Sequence, residues 1–204
     1  MKKNRLEAFS DGVFAIVITL LILNIKLPQV QYDNLTDGLI AMLPNIGVYV
    51  LSFLLIGMYW VFHHYTFSFM KEADGVLLWL NIIFLLFISF IPFPTSLMGE
   101  YPFKTIPMVI YGANLLLANI IGFISLIYLN RNRQLATDIF TPAVNKMQMR
   151  VYIIINGLYL LCIVAAFFMP WLSAVLFGII AVYLVVRSVI FMGIGKCNYL
   201  QSHL

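Results

Sequence analysis

Apolar positions in this chain fall into long unbroken runs separated by short polar patches. A helix that crosses a bilayer needs about 20 mostly apolar residues, and six stretches meet that length: 9–25, 39–62, 76–97, 108–129, 151–169 and 172–194. The pattern predicts an all-α membrane protein, with one six-helix transmembrane domain occupying residues 1–204. Pro170-Trp171 leaves almost no chain between the last two stretches, which predicts a helical hairpin with its indole at the interface. Pro92 and Pro94 fall near one end of the third stretch, where they are expected to terminate or kink it. The segment 130–150 is the longest polar stretch and reads as a loop, with room for a short amphipathic helix. Lys2, Lys3 and Arg5 before the first run imitate a signal peptide, but Asp11 interrupts the run and no small-x-small cleavage site precedes Pro28. The first run is therefore expected to be a retained helix.

Charge gives the orientation. With the N-terminus in the cytoplasm, Lys2, Lys3, Arg5, Lys71, Arg131, Arg133, Lys146, Arg150, Arg187 and Lys196 share the cytoplasmic side, and only Lys26 and Lys104 fall outside. Six crossings return the C-terminus to the cytoplasm too. The outer loops carry Asp33, Asp37 and Glu100, a weakly acidic face whose simplest role is solvation.

Composition narrows the function classes. The chain has 204 residues, 63% of them hydrophobic and 10% charged, with a mean hydropathy of +0.99, far above the roughly half-apolar make-up of a soluble domain. The runs use nearly every residue, so no separate soluble catalytic or nucleic-acid-binding domain fits. The net charge of +4 resides at the ends of the runs, where membrane anchoring accounts for it without a nucleic-acid partner. Cys162 and Cys197 are too few for a disulfide framework or a metal site. There is no Gly-x-Ser-x-Gly, no full phosphate-binding loop around Gly193 and Gly195, no zinc-spaced His/Cys cluster and no TVGYG filter. The sequence thus predicts neither an enzyme nor a resident cofactor or metal.

Polar residues inside the runs are costly and mark protein- or water-facing positions. At 100° per residue, Ile16, Thr19, Leu20 and Leu23 share one stripe of the first helix, with Ser10 and Asp11 roughly opposite. Taken by periodicity alone, the aliphatic stripe reads as a lipid-facing surface. Arg5 and Asp11 are six apart and do not meet on one helix, so Asp11 needs a partner from elsewhere. His63 and His64 end the second run at the same expected depth and are its predicted partners, in a pair able to lock helices, sense pH or relay protons. Asn81, Asn114, Asn119 and Asn156 are expected to hydrogen-bond between helices.

The string Arg5-x-x-x-Phe9-Ser10-Asp11-Gly12, followed by an aliphatic helix with Thr19, resembles the signature of the transmembrane protein 175 family of potassium channels. Trp60-x-x-His63-His64, Asn81 and the FIPFPT segment from Phe90 to Thr95 are similar to that family as well. The resemblance covers the first three runs by motif and the rest by hydropathy. It implies a potassium-selective homotetramer in a plasma membrane, such as a bacterial inner membrane, with a pore lined by the first helix of each subunit. By distance from the Phe-Ser-Asp motif it implies a hydrophobic constriction at Ile16, with Thr19, Leu20 and Leu23 along the same path. Arg5, Ser10, Asp11, His63, His64 and Asn81 would form a polar network holding that helix. A proton-coupled small-molecule transporter using Asp11 and a histidine, and a non-conducting membrane assembly protein, are the readings that compete with a channel.

Overall fold

A computed structural model describes residues 3–201, with side chains through 189, so Lys2 and the side chains of Lys196 and Cys197 lie outside the described residues. The helices are α1 (Lys3–Leu20), α2 (Leu35–Ala41), α3 (Leu43–Ser68), α4 (Gly75–Phe90), α5 (Pro92–Glu100), α6 (Thr105–Arg131), α7 (Pro142–Phe168) and α8 (Pro170–Gln201). They supply six stretches long and apolar enough to cross a bilayer, α4 and α5 together making the third. The chain is an all-α, multi-pass membrane protein.

Prolines punctuate this layout. Pro44, Pro92 and Pro142 occupy the first turns of α3, α5 and α7, where a missing N–H leaves no bond unmade. α4 and α5 are divided at Ile91, as the paired prolines predicted. Met169 alone separates α7 from α8, whose packing against each other makes the expected hairpin. Several helices run past the apolar stretches, the first from Lys3 rather than residue 9, and two boundaries have a local cause. The second crossing begins at Leu43 rather than residue 39, because Leu35–Ala41 forms its own short helix and the chain turns at Met42 ahead of Pro44. The polar segment 130–150 is mostly helix, since Thr141 accepts a 3.3 Å bond from the Val144 N–H and starts α7 early. What remains is pinned: Lys71 N–H donates to Leu135 O (2.7 Å) and Thr137 N–H to Phe69 O (2.9 Å), joining the α3–α4 and α6–α7 connections.

In lipid, helices gain nothing from hiding apolar surface against one another, so close packing and interhelical hydrogen bonds must hold the bundle. α6 is its centre, packing on α4, α5, α7 and α8. Gly112 permits the tightest part of this arrangement, because a Cβ there would lie 2.8 Å from Ile163 and 3.0 Å from Phe177. Fully buried Tyr111 shares the Ser52 hydroxyl (3.0 Å) with Thr95 (2.8 Å), tying α6, α3 and α5 together. Tyr59 donates to Leu115 O (2.7 Å) from α3 to α6. Asn119 donates to Asn156 Oδ1 (2.9 Å) and Asn114 to Phe87 O (3.0 Å), the interhelical use expected of both asparagines.

Candidate functional site

α1 packs on α3 and α4 through Leu6, Ser10, Phe14 and Val17, all buried, and Leu21 continues the series just beyond it. Their three- and four-residue spacing is one helix face. The opposite face is uncovered: Phe9 is 57% exposed, Ile16 60%, Leu20 44% and Leu23 73%, with Thr19 exposed beside them. The Thr19 hydroxyl donates back to Ala15 O (2.9 Å) and Ile16 O (2.8 Å), so its proton is committed and its oxygen lone pairs remain available. Arg5 is exposed and has no side-chain partner among the described residues. Eleven residues before Ile16, it falls within about 20° of the same stripe.

The buried face carries a directed chain of hydrogen bonds. His63 Nε2 lies 2.8 Å from Asn81 Oδ1, Asn81 Nδ2 donates to Ser10 Oγ (3.0 Å), and Ser10 donates to Leu6 O (2.9 Å). Because the Asn81 amide nitrogen already donates to Ser10, its oxygen must accept, which places the histidine proton on Nε2. His63 is sandwiched between Phe67 and Phe84, with ring centroids 4.3 and 5.6 Å away, and all three polar side chains are buried. His63 Nδ1 has no protein partner and His63 borders a cavity of about 40 Å³ among α3, α4, α6 and α7, room enough for ordered water.

Asp11 does not pair with either histidine. Adjacent residues on a helix point 100° apart, so Ser10 enters the core while Asp11 stays on the exposed side and accepts from Trp60 Nε1 at 2.9 Å. His64 Nδ1 instead meets Glu7 Oε1 at 3.2 Å. Arg5 is likewise separate, being five residues and about 140° from Ser10. The expected network is thus two structures: a buried Ser10–Asn81–His63 layer, and an outer clasp of Glu7 with His64 and Asp11 with Trp60. Glu7 and Asp11 are four apart on α1, as are Trp60 and His64 on α3, and the indole and imidazole stack at 6.0 Å. That matched spacing was the signal for Glu7 and for Trp60 as the carboxylate's partner. The Asp11–histidine pair of the transporter reading is thus not the one formed; the carboxylate–imidazole contact present is Glu7 with His64.

Both ends of α1 are fastened. Lys3 Nζ donates to Phe67 O (3.1 Å) near the C-terminus of α3, where a cation also suits the helix dipole. Beyond the short 3-10 turn Leu21–Asn24, Asn24 donates to Pro92 O (3.1 Å) at the α4–α5 break. Lys26 and Glu100 form an exposed ion pair at 2.6 Å, and the carboxylate's hydrogen bond and charge hold the ammonium pKa above its ordinary value.

The family model for the endosomal/lysosomal potassium channel TMEM175 matches residues 5–92, the part of the chain that holds α1, both polar layers and the α4–α5 break. A protein of Streptomyces collinus named a potassium channel is 46% identical over 101 residues, a match spanning about half of this chain and about half (49%) of that relative. One from Chamaesiphon minutus, also named a potassium channel, is 35% identical over 191 residues, covering 90% of this chain and 94% of the relative. The crystal structure of a lysosomal potassium-selective channel TMEM175 homolog from that organism superposes with a TM-score of 0.81 at 31% identity, over 91% of this chain and 97% of that one. The chicken relative, named an endosomal/lysosomal proton channel, is 37% identical over 52% of this chain but only 23% of its own length. A near full-length match in sequence and in fold places this chain in the TMEM175 channel family.

Proposed function

We propose that this protein is a potassium-selective channel of the plasma membrane, a bacterial inner membrane in the simplest case, in which four copies of α1 surround the ion path. The observation that carries the reading is the uncovered face of α1. It presents Ile16, Leu20 and Leu23 beside the Thr19 hydroxyl, with Arg5 on the same stripe at the helix start, and lipid would tolerate the aliphatics but is a poor neighbour for the hydroxyl and the guanidinium. A water-filled axis shared by several copies satisfies both sets, and closed symmetry requires identical faces to meet there.

In such an assembly four Ile16 side chains form a ring that excludes water when narrow and passes a partly dehydrated ion when slightly dilated. Potassium sheds hydration at lower cost than sodium, so a tight apolar ring favours it. Thr19, one turn on, supplies four hydroxyl oxygens whose lone pairs face the ion because their protons are held by the helix backbone. Leu20 and Leu23 continue the apolar wall. The Ser10–Asn81–His63 layer and the Glu7/Asp11 clasp hold α1 against α3 and α4, so the radius at Ile16 is set by groups that never touch the ion.

Reversal potentials in mixed potassium and sodium solutions test this. Ile16→Asn is expected to raise current and lower the potassium preference, and Thr19→Ala to lower preference without raising current. Val17→Asn, at a buried position one residue along, is expected to impair assembly instead. Unchanged selectivity in both Ile16→Asn and Thr19→Ala channels, or a stable monomer by mass measurement, refutes the reading. A second reading, proton permeation, draws on the proton-channel name of the chicken relative and on the histidine chain that ends at α1. A current that follows a pH gradient in symmetric potassium would establish it.

A further inference from the structure

We propose that the basic side of the α3–α7–α8 corner is a binding site for the headgroup of an acidic phospholipid, gripped by Arg187, Ser188 and Gln148. The three side chains border a cleft of about 20 Å³ whose other wall is Val61, Phe62 and Tyr65 of α3. The cleft is too small to enclose a phosphate, so the headgroup sits at its mouth with one oxygen reaching in toward Ser188, and an acyl chain runs along Val61 and Phe62.

Depth supports this. Arg187 is 17 residues along α8 from Pro170, about 26 Å at the helical rise, and Gln148 is 20 residues from the far end of α7, about 30 Å. The hydrocarbon core is about 30 Å thick, so both side chains lie at its edge on the face rich in Lys and Arg. A guanidinium at that level needs an anion or a route to water.

Charge supports it independently. From Ile139 to the C-terminus the sequence contains no Asp or Glu, whereas Lys146, Arg150, Arg187 and Lys196 all fall there. The α7–α8 hairpin therefore has no carboxylate of its own to neutralise Arg187, and Arg187 has no ion pair among the described residues. Ser188 adds a polar group aimed at the same place: it is 7% exposed, and its buried Oγ has no hydrogen-bond partner. Buried hydroxyls are rarely left in that state. A phosphodiester answers all three needs, taking a bidentate guanidinium contact, the Ser188 O–H and a Gln148 amide N–H. Basic clefts between transmembrane helices are a recurrent place for such headgroups. The site lies off the α1 face, so its occupancy is measurable whether or not α1 lines a pore.

The full chain is reconstituted into phosphatidylcholine vesicles with and without phosphatidylglycerol, extracted gently, and examined by native mass spectrometry for retained lipid. The wild type is expected to retain phosphatidylglycerol over phosphatidylcholine, and Arg187→Gln to lower that preference about tenfold, the worth of one charge-assisted contact. Ser188→Ala is expected to lower it a few-fold and Arg187→Lys to keep part of it, two mild changes that preserve the measurement if Arg187→Gln folds poorly. Arg150→Gln, outside the cleft, is expected to match the wild type. Equal retention in wild type, Arg187→Gln and Ser188→Ala overturns the site. So does displacement of the lipid by excess inorganic phosphate, which would mark a free-anion site. Loss of assembly in Arg187→Gln with retention unchanged also overturns it, assigning the arginine to a second copy's carboxylate.

Discussion

Asn81→Leu is the most discriminating perturbation of the α1 support, because Asn81 is the middle member of the buried chain from His63 to Ser10. The change removes the acceptor 2.8 Å from His63 Nε2 and the donor 3.0 Å from Ser10 Oγ. Ser10 still donates to Leu6 O, so only His63 is left with a buried N–H and no partner. Stranding one buried polar group costs about 1–3 kcal/mol. The lost Ser10 bond adds about 0.6 kcal/mol, the average for an interhelical bond in lipid. Leucine keeps the branched outline of asparagine, with two methyl groups in place of the amide oxygen and nitrogen, and the adjoining cavity of about 40 Å³ takes up their slightly greater bulk, so overpacking contributes little. Asn81→Leu should therefore destabilise the fold by about 2–4 kcal/mol. Adding His63→Phe removes the stranded N–H while keeping a ring between Phe67 and Phe84, so the double variant should recover more than half of that loss. Reversible unfolding in bilayers or mixed micelles, run as a double-mutant cycle, measures both. A single-variant cost under about 0.5 kcal/mol, or costs that simply add, would show that the layer is not the connected unit described.

Further outcomes follow from individual contacts. Asp74 caps α4 through the Leu77 N–H (2.9 Å) and accepts the Tyr128 hydroxyl (2.6 Å); burial pushes its carboxyl pKa up, but these hydrogen bonds outweigh that and hold it below the ordinary 3.8. A depressed pKa means that stabilisation is complete above the ordinary value and fades as pH falls through the folded one. Asp74→Ala should cost about 1 kcal/mol at neutral pH, with the gap to wild type closing as pH falls below the ordinary carboxyl value and through the depressed one in an acid-unfolding series. Gly112→Ala places a Cβ 2.8 Å from Ile163 and 3.0 Å from Phe177, and should lower stability by about 1–3 kcal/mol in a thermal melt, more than Gly157→Ala, where nothing lies within 4 Å. Trp60→Phe keeps the ring stacked on His64 but removes the indole N–H from Asp11, and should leave assembly intact by mass while altering current, since that bond sits on the exposed side of α1.

Hydropathy determined the six crossings, because the absence of water in a bilayer forces each crossing to satisfy its own backbone bonds and so writes itself as an apolar run, and the prolines marked the break near Pro92 and the tight link near Pro170. Periodicity also separated the Ile16, Leu20, Leu23 stripe from Ser10, because the helical repeat is a local property of α1. Which stripe faces protein was not local. That depended on α3 and α4 approaching Leu6, Ser10, Phe14, Val17 and Leu21 and leaving Ile16 uncovered. The partner of Asp11 is not legible in the sequence for a related reason: several residues share its depth, and only the rotation of α3 about its axis selects Trp60 over the histidine three residues on. Segment 130–150 reads as a loop because its polarity reflects the membrane edge rather than the end of the helix, and α7 continues into water with a Thr141 cap to start it. The acid-free α7–α8 hairpin is plain in the sequence, yet the tertiary structure was needed to set Arg187 and Ser188 beside Gln148, since three helices must meet before scattered polar residues make one cleft.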